Sequence, residues 1–571
     1  MSLYDYIVFG IYILGMVAVA IVFYKKNKNF KDMFAAGGES PWWVSGLSSY
    51  MTLFSAGTFV VWGGLAYKHG LVAISINMAS GCAALLVGFF IAGKWKMLKI
   101  ATPAEYIQIR FGKMAERYYT WMLMFVRIIG SAVALYALST ILHPLMPENS
   151  ISANDIILIC GLVIVIYTIV GGLWAVLMTD VLQFIVLSIS VLFTVWLAFD
   201  HVDSMQDFVA RVPETFLNWT SAGYTWYFLF GWMIIHLFML GAEWAFVQRF
   251  LSVPSRKDAK KSALLFGALY VVSPAIWLLP AMLYRSINAD ADPEQAYILM
   301  SQSLLPLGML GLVAAAMFSA TASMVSSQIN VFAGVLTDNI YLHWLRPKAN
   351  DQEALWAGRM TAAVLGVVIV MLAAAIPYLG GAETVVFSMM SLFISPLFAP
   401  ALWGLFSARI SGSAVWFTAG SAAIVGYILK FALATEGSLA HVSWLSNVAQ
   451  WSQANSKMMD IYAGVVTPLV VLCIAELVGY LQEYRAKGWL ELQPQDNQES
   501  APVSADNYLP LFIVTISIWA CAAITAVLTA LNQQNQSALF VLTLILLIIA
   551  SWLTVVLRRP GFKPVLAEGE K

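Results

Sequence analysis

Charged residues are scarce in this sequence, and their scarcity excludes several classes of protein. Asp, Glu, Lys and Arg make up 11% of the 571 residues, whereas hydrophobic residues make up 60%. Soluble domains carry about 25% charged and about 45–50% apolar residues, so this composition excludes a soluble globular protein. The 31 basic residues balance the 31 acidic ones, which leaves no basic surplus for a nucleic-acid partner.

Cysteine and histidine are also few. The four cysteines, at positions 82, 160, 473 and 521, all lie in apolar runs and predict no disulfide framework. The six histidines are scattered, and no HExxH motif or other metal-ligand spacing is present. We therefore expect neither an enzyme nor a cofactor.

Long apolar runs, in contrast, recur from one end of the chain to the other. A membrane-spanning helix needs about 20 apolar residues, and about 15 runs of roughly that length are present: 3–24, 42–68, 71–93, 117–142, 152–171, 175–199, 225–247, 262–285, 308–340, 356–376, 384–406, 413–432, 458–482, 509–531 and 538–557. The sequence therefore predicts an all-α, multi-pass integral membrane protein.

The basic residues predict the orientation of these spans. Lys25, Lys26, Lys28 and Lys31 directly follow the first span, and such residues favour the cytoplasmic side. Alternating from there puts most of the Lys and Arg residues in cytoplasmic loops, which predicts an outside N-terminus and an inside C-terminus. The polar stretch at about 483–508 is then a cytoplasmic loop.

A polar stripe runs along the apolar segment 311–341. Ser319, Ser323, Ser326 and Asn330 recur at helical spacing, with Ser327 beside them, so they share one face of a helix. A bilayer does not favour such a face unless something polar lies opposite. The stripe either holds two helices together or binds an ion.

Two spans have the composition of interrupted helices. The 42–68 span is dense in Gly, Ser and Thr, and the 225–247 span contains Gly231, Gly241 and the acid Glu243. Interrupted helices at corresponding positions of two halves indicate a midplane binding site in a transporter. Close packing between helices with small residues is the alternative explanation.

Several motifs, in order along residues 1–480, resemble the sodium:solute symporter family and its sodium/sugar branch. They are AGGESPWW (36–43), TPAEYIQIRFG (102–112), GGLWAVLMTDVLQ (171–183), VQRFLSVPSRKDAKK (247–261), SATASMVSSQ (319–328) and LTDNIY (336–341). The resemblance implies a LeuT-like fold with two inverted five-helix repeats. These would occupy 42–199 and 225–406, after a leading helix and loop (1–41) and before about four trailing helices (413–571).

The resemblance also implies sodium sites, and sodium is a hard cation that prefers oxygen ligands. One site would use the carbonyls of Met51, Phe54 and Ala320 and the hydroxyl of Ser323. The family usually has a second hydroxyl directly after that serine, where this chain has Met324. A second site would combine Asp180 with Ser326 and Ser327.

The sugar-transporting branch further implies solute ligands, which are hydrogen-bonding residues around a central cavity: Thr58, Asn77, Ser80, Glu243, Tyr270 and Ser388. Trp62 matches an outer hydrophobic gate. Arg127, in the third repeat helix, binds a solute carboxylate, as in a sugar acid, pairs with Glu243, or extends to the cytoplasmic edge of the membrane.

Together these features predict a sodium-coupled symporter of the inner membrane. It would import a monosaccharide or sugar acid by alternating access, with sodium as coupling ion and no obligate protein partner. An amino-acid or monocarboxylate symporter is the alternative with the same fold, and a channel or transporter-like sensor is a more distant one.

Overall fold

The computed structural model describes residues 1–24, 40–98, 100, 102–147, 151–200, 204–379, 381–433, 445–492, 508–532 and 536–558. Within the helices, only the backbone is described at 16–24, 167, 170–182, 200, 338–339, 343–344, 351 and 508–510. All regular secondary structure in these ranges is helical, as the sequence predicts.

The described parts of the first helix and of the segment predicted to form the first repeat contain eight α-helices. They are α1 (Leu3–Tyr24), α2 (Trp42–Thr52), α3 (Gly63–His69), α4 (Leu71–Leu86), α5 (Ala92–Met97), α6 (Pro103–Phe111), α7 (Lys113–Leu142) and α8 (Ala153–Asp200). Two π-helical turns, Thr58–Trp62 and Val87–Ile91, join α3 and α5 to the turns before them.

The segment predicted to form the second repeat follows after a short surface helix, α9 (Met205–Arg211). Its helices are α10 (Trp226–Ala242), α11 (Trp244–Leu251), α12 (Arg256–Val272), α13 (Pro274–Trp277), α14 (Leu279–Ile287), α15 (Ala296–Leu304), α16 (Met309–Leu336), α17 (Asp351–Ala375), α18 (Gly381–Met389) and α19 (Ser395–Gly404). The division into two inverted repeats stays a prediction.

The remaining described helices follow this segment in the sequence. They are α20 (Gly412–Tyr427), α21 (Ser446–Ala454), α22 (Ser456–Ile461), α23 (Thr467–Leu481), α24 (Lys487–Glu491), α25 (Tyr508–Leu531) and α26 (Gln536–Leu557). The last two pack against each other as a hairpin.

The sequence expectation of about 15 membrane spans stays a prediction. Among the described residues, 10 helices are long and apolar enough to cross a membrane, or up to 11 with the bent pair α10–α11. The predicted spans at 152–171 and 175–199 are one continuous helix, α8, of 48 residues. Gly171 and Gly172, where the sequence suggests a boundary, do not interrupt the backbone hydrogen bonding that defines the helix.

Helix α16, which carries the polar stripe, lies at the centre of the protein. Of the apolar stretch within Met309–Leu342, 94% is buried inside the protein. The Asp5 carboxylate of α1 accepts the N–H groups of Gly308 (2.9 Å) and Gly311 (3.0 Å), so it caps the positive end of the helix dipole. Gly308 has φ +88°, and a Cβ on Gly311 would lie 2.1 Å from the Asp5 carbonyl oxygen. Both positions therefore require glycine.

Candidate functional site

The first repeat helix is broken where the sequence suggests. Helix α2 ends at Thr52, residues 53–55 are not helical, and the helix resumes at Ala56. The Phe54 N–H donates to the Met51 carbonyl (3.0 Å), and the Ser55 N–H donates to the Thr58 hydroxyl (3.2 Å). Local hydrogen bonds thus stabilise an interruption that is buried in protein, which is the condition for irregular backbone at membrane depth.

Thr321 joins this break to α16. Its hydroxyl accepts the backbone N–H of Ala56 (2.9 Å), and both residues are fully buried. The helical turn that contains Ala320 and Ser323 therefore lies next to the interruption after Met51. Sequence reasoning missed Thr321, although its hydroxyl stands in the middle of the SATAS motif.

The polar stripe divides into parts with different surroundings. Tyr12 of α1 donates its hydroxyl to Ser319 (2.6 Å), so this end of the stripe connects two helices. Ser326 donates to the Ser323 carbonyl (3.1 Å), while Ser327 and Met324 are half-buried. Asn330 is buried, and its side-chain amide nitrogen has no hydrogen-bond partner among the described residues.

Asp180, the acid predicted for a second sodium site, lies in α8, but its side chain is outside the described residues. Gln183 follows one helical turn later and is fully buried. Neither polar atom of its side-chain amide has a partner within the described part of the chain. Helix α8 packs extensively against α16, so the polar side chains of both helices belong to one helix pair.

A second interruption lies at Glu243, between α10 and α11, where the axis bends by 51°. Glu243 has an extended backbone (φ −69°, ψ 137°), and its N–H still donates to the Met239 carbonyl (2.8 Å). The indole N–H of Trp95 donates to the Gly241 carbonyl (2.7 Å), which compensates for a helical hydrogen bond that the bend removes.

Arg127 of α7 forms an ion pair with Glu243 at this bend. Only 7% of Arg127 and 1% of Glu243 are exposed. A buried charge is tolerated in an apolar surrounding when it is paired, so each residue explains the presence of the other. Of the three roles that the sequence leaves open for Arg127, pairing with Glu243 is the one observed.

Aromatic rings surround Trp62, the residue predicted to be an outer gate. Its ring centroid lies 6.0 Å from that of Trp232 in α10 and 5.9 Å from that of Phe387 in α18. Trp232 and Phe387 are themselves 5.0 Å apart. These three rings, here called the aromatic cluster, connect the first broken helix to α10 and α18.

Charged side chains lie on the predicted outer side of the aromatic cluster. Glu383 contacts both Lys68 (3.4 Å) and Lys457 (3.2 Å), which links α3 to α18 and α22. Nearby, Tyr136 donates to Glu294 (3.2 Å). Burial raises the pKa of Glu294, and the hydrogen bond from Tyr136 partly opposes that shift.

A profile of the Sodium:solute symporter family matches residues 33–418. The chain belongs to this family. Similar proteins include the sodium/glucose cotransporter of Vibrio parahaemolyticus, 28% identical over 67% of this chain and 76% of its own length. The sodium/sialic acid symporter NanT of Aliivibrio fischeri is 26% identical over 64% and 75%, respectively.

The fold agrees with that assignment. A solved structure of a Na⁺-coupled sialic acid symporter, in a substrate-bound outward-open state, matches with a TM-score of 0.67 at 22% identity. The match covers 85% of this chain and 99% of the other. The protein is therefore a multi-pass, LeuT-like, sodium-coupled symporter of a small solute and not an enzyme.

Four residues of the symporter that are predicted to bind solute lie in or near the two broken helices, and their side chains contact other parts of the protein. Thr58 accepts the Ser55 N–H. Asn77 and Ser80 donate to carbonyls one turn back in α4, those of Ala73 (2.9 Å) and Ile76 (3.3 Å). The Tyr270 ring lies 5.9 Å from Tyr50 and 6.0 Å from Trp277, between ring centroids. Their roles as solute ligands stay predictions.

Ser388, another residue predicted to bind solute, contacts the trailing helices of the symporter. Lys430, in the π-helical turn Ile428–Ala432 after α20, donates to the Ser388 hydroxyl (3.1 Å). Lys430 also pairs with Asp460 (2.6 Å). Ser391 also donates to Asp460 (2.7 Å). Ser388 thus contacts the trailing helices, whereas its neighbour Phe387 belongs to the aromatic cluster.

This arrangement predicts different effects for two adjacent substitutions in the symporter. Phe387→Ala should lower solute uptake about tenfold, because the gate loses ring contacts worth about 0.5–1.5 kcal/mol each. Ser388→Ala should leave the KM for solute nearly unchanged, since Ser388 bonds to Lys430. Initial uptake rates at several solute concentrations measure both; a larger effect at Ser388 than at Phe387 would contradict the placement.

Proposed function

We propose that this symporter imports a monosaccharide or a sugar acid across the inner membrane, driven by sodium entry. The observation that carries the proposal is the bend at Glu243 with Arg127 paired to it. The bend brings the Arg127 guanidinium and the Glu243 carboxylate, which can both hydrogen-bond to a solute, to a helix break. Transporters of this kind bind solutes at such breaks.

The choice of a sugar rests on the chemistry of the residues near the breaks. Hydroxyl, amide and carboxylate groups suit a solute with many donors and acceptors. Thr58, Asn77, Ser80 and Tyr270 are the proposed solute ligands beside Glu243. The similarity to the glucose cotransporter and to the sialic acid symporter supports the same choice. Ser388 is the weakest of the predicted solute ligands, because its hydroxyl accepts from Lys430, and its substitution should change the KM for solute least.

For the coupling ion, the proposed ligands are the carbonyls of Met51, Phe54 and Ala320 and the hydroxyl of Ser323. The hydrogen bond from Ala56 to Thr321 supports this site, because it joins the two backbone segments that would supply the ligands. Asp180, Ser326 and Ser327 form a proposed second site. Met324 occupies a position where a hydroxyl would add a ligand.

Sodium bound between the broken helix and α16 would then stabilise the outward-open state. Solute binding closes the aromatic cluster around Trp62, and opening of the inner side releases the solute while sodium leaves past Asp180. Each sodium ion that enters gains about 2.3 kcal/mol per 100 mV of membrane potential.

An amino acid is the second candidate solute, and the ion pair gives a specific reason for it. The Arg127 guanidinium and the Glu243 carboxylate are adjacent, and a zwitterion carries a carboxylate and an ammonium group of complementary charge. Such a solute would separate the pair and contact both members.

A thermal-shift panel tests the proposal with the purified protein. Neutral hexoses, uronic acids, sialic acid and amino acids are added in sodium buffer and, as the control, in potassium buffer. A sugar or sugar acid should raise the unfolding temperature, and more so in sodium. Stabilisation by amino acids alone would favour the second candidate, and equal stabilisation in both buffers would contradict sodium coupling.

A further inference from the structure

A cavity of about 270 Å³ lies at the predicted cytoplasmic ends of α5, α12 and α19. Two of its lining residues are cations, Lys94 and Arg256, and most of the others are apolar, including Met97, Leu405, Trp489 and Leu492. Among the residues that the structure describes, no aspartate or glutamate lines it. The cavity therefore combines positive charge with apolar walls.

The basic side chains converge on one point of the backbone. A Cβ on Gly93 would lie 3.3 Å from Arg256 Nε and 3.0 Å from Lys260 Cε. The side chains of α12 thus run directly over the residue that precedes Lys94. Lys94 Nζ lies 3.6 Å from the centroid of the Phe406 ring. Within the described residues, neither Lys94 nor Arg256 has a carboxylate partner.

The short helix α24 forms the far wall of the cavity. The Ala486 N–H donates to the Ala408 carbonyl (2.9 Å), and a Cβ on Gly488 would lie 1.9 Å from the Ile109 carbonyl oxygen. These close contacts hold Trp489 in the cavity wall. The guanidinium carbon of Arg110 lies 5.9 Å from the Trp489 ring centroid. The wall is therefore built into the fold.

We propose that this cavity binds the headgroup of an anionic phospholipid. The phosphate would lie between Lys94 and Arg256, which have no carboxylate partner in the described structure, and the apolar walls would contact the glycerol and first acyl carbons. Basic pockets between membrane helices on the cytoplasmic side bind anionic lipids in this manner. A free phosphate ion is also an anion, but it has no apolar part to contact the apolar walls.

The proposed lipid would connect parts of the transporter that have different roles. Lys94 belongs to the helix pair α4–α5 of the first predicted repeat, and Arg256 begins α12 of the second. A phosphate that bridges them holds the inner ends of the two repeats together. Bound lipid would thus stabilise the form in which these ends are close.

The experiment measures thermal unfolding of the full chain in detergent with added phosphatidylglycerol, with phosphatidylcholine as the uncharged control. Phosphatidylglycerol should stabilise the wild type more, and Lys94→Gln and Arg256→Gln should each weaken its apparent affinity about fivefold. Lys257→Gln is the matched control, because Lys257 is exposed next to Arg256 and does not line the cavity. Native mass spectrometry of the same variants counts the retained lipid directly.

Three results would overturn the proposal. Equal stabilisation by both lipids would remove the need for a charged headgroup. An unchanged phosphatidylglycerol effect in Lys94→Gln/Arg256→Gln, or an equal loss in Lys257→Gln, would place the lipid elsewhere. A full effect from water-soluble glycerol phosphate would identify a free anion as the ligand. Solute-induced stabilisation, measured in parallel, shows that each variant is folded.

Discussion

Glu243→Gln should abolish solute uptake and destabilise the protein by about 3–5 kcal/mol, because removing one partner leaves the other charge of a buried pair uncompensated. The remaining charge would be Arg127, of which 7% is exposed. Replacing both residues, in Arg127→Gln/Glu243→Gln, should restore much of the lost stability, since neutral side chains of similar size need no counter-charge. Thermal unfolding and uptake, measured on the two single variants and the double variant, separate the effect on folding from the effect on transport.

A partly exposed ion pair in the same protein provides the control. Glu383 is paired with Lys68 and Lys457, and about a quarter of its side chain is exposed. Glu383→Gln should therefore change the stability by only about 0–1 kcal/mol. If Glu243→Gln were as stable as the wild type, or if the double variant were no better than the single ones, the buried pair would not have the role assigned to it.

Ser323→Ala should lower the apparent affinity for sodium about tenfold, which corresponds to about 1.4 kcal/mol. A hydroxyl that contacts an ion contributes about this much, because hydrogen bonds and ligands to charged groups are worth about 1.5–3 kcal/mol. The initial uptake rate as a function of sodium concentration, at fixed solute, gives the value. The matched control is Ser319→Ala on the same helix, whose hydroxyl accepts from Tyr12 instead.

The comparison of these two serines decides between the two explanations of the polar stripe. If Ser319→Ala and Ser323→Ala reduce sodium affinity equally, the stripe acts through helix packing and not through an ion site. An effect confined to Ser323, with reduced stability alone at Ser319, would assign one end of the stripe to packing and the other to sodium.

Much of the architecture could be predicted from composition, because a bilayer imposes strong constraints on sequence. The helical class follows from the apolar runs. The interruptions at 53–55 and at Glu243 follow from small and polar residues in otherwise apolar spans. The buried position of α16 follows from its stripe, since serine and asparagine at helical spacing are unfavourable against lipid. In each case a local pattern was sufficient.

The features that could not be predicted depend on which helices are neighbours. Thr321 is one more hydroxyl among several until the fold brings it to the Ala56 N–H. Ser388 and Phe387 are adjacent in sequence, yet one faces Lys430 and the other faces Trp62. The continuity of α8 across Gly171 was also missed, because glycine weakens a helix without forbidding it.

Arg127 shows both what the sequence could predict and what it could not. Its burial was foreseeable, as an arginine in an apolar span must face protein or water. Pairing with Glu243 was one of three open explanations for Arg127 until the structure showed the pair. That pairing leaves the region around the second helix break with no net charge from these two residues, which agrees with a neutral sugar or a zwitterion as well as with the sodium/sugar branch of the family.

Uptake into proteoliposomes under an imposed sodium gradient tests the central claim most directly. A radiolabelled solute identified in the thermal-shift panel should accumulate above its external concentration when sodium is high outside. The accumulation should collapse when a sodium ionophore dissipates the gradient, and it should be absent when potassium replaces sodium. Equal uptake in potassium, or equilibration without accumulation, would contradict sodium-coupled symport.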